Sequence, residues 1–146
     1  MCLIVSKYKT LLFKIVRMLN PFKRYVYAYK VLFYERNNRS IYTPYRMIKI
    51  DTQIMDSARI STPTLDELSD GRINCGIHAY ILKHHANLTL EYFQKLHLFE
   101  KIYSNYNPFI VSVKIDKKDV IAIGRDKDIV CTKLEIIDDF KKMVYN

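Results

Sequence analysis

The eleven residues from Cys75 to His85 hold one of the chain's three cysteines and three of its four histidines. Nucleophilic, metal and acid–base chemistry are therefore sought there first. A catalytic thiol needs an imidazole close by and a third group to orient it. Cys75 and His78 are three residues apart, which on a plain strand sends them to opposite faces. Only a bend at Gly76 would bring them together. The alternative is a core cysteine beside a histidine hydrogen-bonded for structure. Cys75, His78, His84 and His85 are all of metal-ligand type, but their spacing fits no zinc module and no second ligand pair accompanies them. No metal is expected. Gly76 and His78 remain, as the centre of a ligand or partner pocket, or with His78 as the acid/base of an enzyme acting on a nucleotide or modified base. In that second reading Tyr42, Tyr45 or Arg46 would hold the substrate.

A second chemistry lies earlier. Lys23, Arg24, Tyr25, Tyr27, Lys30, Tyr34, Arg36, Arg39, Tyr42, Tyr45 and Arg46 interleave cations with aromatic rings, the recipe for binding single-stranded nucleic acid. No RRM, KH, zinc-finger or helix-turn-helix signature accompanies them, and Tyr25 to Tyr29 fit a core better than a binding surface. The chain also lacks G-x-G-x-x-G, Walker A, G-x-S-x-G and H-E-x-x-H. No cofactor is expected, and the motif-bearing nucleotide and hydrolase classes lose their support.

Charge separates the chain into unequal parts. Residues 1–49 carry eleven Lys/Arg against the single acid Glu35, a balance of +10, whereas residues 50–146 balance at −1. A basic first third can attract nucleic acid or an anionic membrane through residues 7–46. Lysine-rich coding with solvated charge is the plain alternative. Cys2, Cys75 and Cys131 form no C-x-x-C pair, which argues for a reducing, intracellular compartment over a disulfide framework. The apolar run of residues 2–19 is broken by Lys7, Lys9, Lys14 and Arg17, so neither a signal peptide nor a transmembrane span is expected.

The elements that must position these groups follow from periodicity. Residues 3–19 have a helical period that ends at Asn20-Pro21. Residues 24–34 alternate with both faces largely apolar, the mark of a strand well inside a sheet. A turn at Arg36 to Arg39 leads to a short returning strand from Ser40 to Thr43, and an extended piece covers Met47 to Ile50. Thr62-Pro63 opens a short helix that Gly71 closes. Asn87 to Ser104 is a second helix, with His84 and His85 as its polar approach. Strands follow at 109–115, 119–124 and 128–137, then a short terminal helix over 138–145. This order predicts an α+β fold with a mixed or mostly antiparallel sheet, two or three packed helices and an N-terminal amphipathic helix. Residues 1–22 form the basic helix or leader, and 23–146 the compact domain.

Tyr29-Lys30-Val31-Leu32, Tyr42-Thr43-Pro44-Tyr45, Cys75-Gly76-Ile77-His78-Ala79-Tyr80 and the closing segments at 111–114 and 119–124 occur here in a telling order. Together they resemble an uncharacterised domain of large DNA viruses and bacteriophages that carries a Gly-(Ile/Leu/Phe)-His motif. The likeness spans about residues 25 to 138. Relatives place a cysteine several residues before the glycine, whereas Cys75 is adjacent to it. The resemblance implies a viral origin, in host cytoplasm or virion, and a compact α+β domain. It brings no established activity. The expectation is a non-enzymatic accessory protein that meets a host or viral protein near Gly76 and His78. Base- or nucleotide-directed catalysis and anionic-surface binding are the alternatives.

Overall fold

The computed structural model describes residues 3–4, 23–44, 47–56, 72–73, 76–99, 104–124, 128–139 and 142. Two long strands form its spine. β2 (Tyr25–Glu35) and β8 (Tyr106–Asp116) pair antiparallel over all eleven residues, from Tyr25 opposite Asp116 to Glu35 opposite Tyr106. The remaining strands of this sheet are β3 (Ser40–Tyr42), β4 (Lys49–Ile50), β5 (Ile54–Asp56), β7 (Ile77–Tyr80), β9 (Val120–Ile123), β10 (Asp128–Cys131) and β11 (Lys133–Ile136). Their order is β5-β11-β8-β2-β7-β10-β9, and β3 joins β2 further along its edge with β4 outside it. Every pairing is antiparallel. A separate two-stranded pairing joins β1 (Leu3–Ile4) to β6 (Arg72–Ile73).

Strand parity divides β2 into two faces. Ala28 and Leu32 point into the main core with Ile41, Ile77, Ala79, Val111, Val113, Ile115, Ile129, Cys131, Leu134 and Ile136. Each Val, Leu or Ile sealed there contributes on the order of 1.5–3 kcal/mol. Val31 and Phe33 point the other way, to α1 (Lys83–Phe99). Phe93 of α1 meets Phe33 edge-on, with ring centroids 4.9 Å apart and planes at 82°, the preferred geometry of an aromatic pair. Leu90, Leu96, Tyr106 and Ile110 pack around that contact. α1 thus covers the C-terminal half of β2, and its apolar stripe does not extend over Tyr25 and Tyr27.

The expected α+β arrangement is corrected. Among the described residues the protein is mostly antiparallel sheet with one long helix, in place of two or three packed helices. The N-terminal amphipathic helix is overturned at its start, where Leu3–Ile4 is a strand paired with Arg72–Ile73. The rest of that segment, the Thr62-Pro63 helix and most of the terminal helix lie outside the described residues. α1 starts four residues before the expected Asn87, so His84 and His85 sit in its first turn. The expected strand 128–137 is interrupted at Thr132, giving β10 and β11, which pair with β7 and β8 respectively. No helix among the described residues is long and apolar enough to cross a membrane.

Candidate functional site

The uncovered half of the helix face carries a strip of tyrosines. Tyr25, Tyr27 and Tyr29 share one parity on β2 and so lie side by side. Tyr27 is 64% exposed and Tyr25 37%, while Tyr29 is half-buried at the start of α1. The reading of these tyrosines as core is corrected for Tyr25 and Tyr27, because α1 shields only the far half of the strand.

Cations flank the strip at both ends. The Lys114 ammonium lies 4.8 Å from the Tyr25 ring centroid, and the Arg24 guanidinium 5.2 Å from the same centroid. At the other end the Lys83 ammonium is 6.0 Å above Tyr29. These are cation–π distances. Arg24 Nε also donates to Asp116 Oδ2 at 2.7 Å, and Lys114 pairs with Glu135 at 3.0 Å. Both cations are held above their ordinary pKa, chiefly by those hydrogen bonds. Burial would raise the Asp116 carboxyl, but the Lys118 backbone amide and the Arg24 guanidinium outweigh it and keep it ionised. Asp138 is likewise engaged, accepting from the Ser112 backbone N–H at 2.6 Å. Lys114 and Lys83 come from distant parts of the chain, outside the run of cations and rings over residues 23–46.

The residues expected to bind are placed as follows. Gly76 has φ 83°, a left-handed backbone open to glycine at little cost. It turns the chain into β7, where Ile77 enters the main core and His78 emerges, half-buried, on the helix face. Tyr42 lies on that face too, opposite Phe33, with its ring edge-on to Tyr106 at 5.7 Å. β7 joins the same edge of β2 at Tyr29, four residues along, or about 13 Å. Tyr45, Arg46 and Cys75 lie outside the described residues. A cleft of about 450 Å³ lies elsewhere, at the β5–β11 edge, lined by Thr52, Gln53, Ile54, Asp56 and Lys133. Among the described residues no group of three or more His, Cys, Asp or Glu side chains could hold a metal ion.

Lys30, expected among the surface cations, is buried on the main-core face of β2. Its Nζ donates to the His78 carbonyl at 2.6 Å. This bond spans the place where β7, paired with β2 only at Tyr29–Tyr80, gives way to β3 along the same edge. Burial lowers the Lys30 pKa to about 8 and raises that of Cys131, on the same face, to about 12. A thiol of that kind is inert.

No family model, curated protein or solved structure matches the chain.

Proposed function

We propose that this protein binds nucleic acid on the helix face of its sheet, through Tyr25, Tyr27 and Tyr29 and the cations Arg24, Lys83 and Lys114. The observation that carries the reading is Tyr27, an aromatic ring 64% exposed on a central strand with cations stationed over both neighbouring tyrosines of the strip. A ring in that position stabilises no core. It offers a stacking platform, and the adjacent charges can take phosphates. The basic balance of residues 1–49 adds long-range attraction to a polyanion.

Binding of fluorescently labelled oligonucleotides across a salt series tests the reading. Affinity should fall steeply with salt, as counterion release requires, and Arg24→Glu with Lys114→Glu should weaken it at least about tenfold. Retention on anionic phosphatidylserine vesicles with no affinity for oligonucleotides would overturn the proposal in favour of membrane association.

A further inference from the structure

The geometry of the strip selects a form of nucleic acid, an inference that rests on the nucleic-acid reading above. Side chains two apart on a strand repeat about every 6.7 Å, and Tyr25, Tyr27 and Tyr29 follow that repeat on one face. Bases stacked in a duplex repeat about every 3.4 Å along each strand and turn their faces toward one another. A duplex laid along β2 offers the tyrosine rings phosphates and sugars, and no base faces. A strand whose bases are parted can present one flat face to one ring.

The three rings are not equivalent. Tyr25 already has Lys114 and Arg24 within cation–π distance, and Tyr29 has Lys83. Tyr27 lies between them with the most exposed ring of the three. The two cation stations are four residues apart along β2, about 13 Å, which leaves room for an extended sugar–phosphate link on either side of one central base. Asp116 and Glu135, the carboxylates that face these cations, are paired with Arg24 and Lys114. A phosphate arriving at that end competes with them.

We infer that the helix face takes single-stranded nucleic acid in an unstacked form. One base stacks on Tyr27, and the flanking phosphates lie toward Arg24 and Lys114 on one side and Lys83 on the other. Recognition of this kind is tolerant of sequence, because every base has a π face. It also depends on the base being present and unpaired.

Fluorescence anisotropy can compare three labelled ligands at one salt concentration: a single strand, the same sequence closed as a hairpin duplex, and the single strand with abasic sites. The single strand should bind at least about tenfold tighter than the other two. Tyr27→Ala should remove about tenfold from the single-strand affinity, while Tyr27→Phe, which keeps the ring, should retain it. Tyr27 is largely exposed, so both variants should stay folded, with only a small change in thermal midpoint. Equal affinity for strand and duplex, with Tyr27→Ala changing neither, would overturn the single-strand inference and leave nucleic-acid binding standing. Failure to bind any of the three ligands would overturn both.

Discussion

Lys114 stands opposite Tyr27 in the β2–β8 ladder, yet its ammonium lies over the ring of Tyr25, 4.8 Å from the centroid. The lysine is drawn diagonally by Tyr25, while Glu135 holds it at 3.0 Å. Tyr27 is consequently the open ring in a strip whose neighbours already carry cations. Cations thus sit over the two outer rings of the strip, and the central ring is the most exposed of the three.

The Glu135 contact restrains the cation it touches. Glu135→Gln removes the competing carboxylate and keeps the side chain's size, so Lys114 becomes free to meet a phosphate. Oligonucleotide affinity at low salt should rise by about twofold to tenfold, and the gain should vanish at high salt. An unchanged or lower affinity in the same titration would show that Lys114 is not a phosphate contact.

Lys30 gives the clearest pH signature. Its pKa in the folded protein is about 8 against 10.5 for the free side chain, so the unfolded chain holds the proton more tightly between those values. The penalty for burying the charge is full below about pH 8 and disappears as pH rises to about 10.5, amounting to about 3 kcal/mol. Lys30→Met should therefore stabilise the protein near pH 7 by about 2 kcal/mol, after about 1 kcal/mol is lost with the bond to the His78 carbonyl. The advantage should shrink toward pH 10. Denaturant unfolding of both proteins at pH 7 and pH 10 measures it, and a pH-independent difference would contradict the assignment.

Phe93 fixes α1 to the sheet and so determines which tyrosines stay uncovered. It is 1% exposed and meets Phe33 at 4.9 Å. Phe93→Ala should cost about 3–5 kcal/mol. Thermal or denaturant unfolding would show this as a clear loss of midpoint, far larger than that of Tyr27→Ala.

Gly76 is a backbone requirement. At φ 83° a Cβ would crowd the adjoining carbonyl, so Gly76→Ala should destabilise by about 1–2 kcal/mol. Gly76→Asn should cost less, since asparagine enters the left-handed region more readily. Stability measurements on the two variants check the order.

Much of the sheet is legible in the residue pattern, and the surface is not. The alternation of residues 24–34 marks β2, the turn at 36–39 marks the hairpin to β3, and the Gly-Ile-His step separates a backbone role from a core residue and an outward histidine. Lys30 was also legible in principle: it shares its parity with Val26, Ala28 and Leu32, which points it to the main core. The two faces of β2 are nearly equal in apolarity, however, and the strand itself cannot say how far α1 reaches. That depends on Phe93 finding Phe33, a contact sixty residues apart in the chain. The start of α1 was hidden because Leu82 supplies no capping side chain and Lys83-His84-His85 reads as a polar loop. Lys83 and Lys114 join the tyrosine strip only through the tertiary fold.

The chain has no tryptophan, so Tyr27→Trp would place a single indole reporter at the centre of the strip. Titrating that variant with an unlabelled single-stranded oligonucleotide while recording indole emission reports whether a base stacks at residue 27. Stacking of a base on residue 27 predicts saturable quenching, with a midpoint matching that of binding and lost when salt releases the strand. Full binding by an independent assay with unchanged indole emission, or no binding at all, would contradict it.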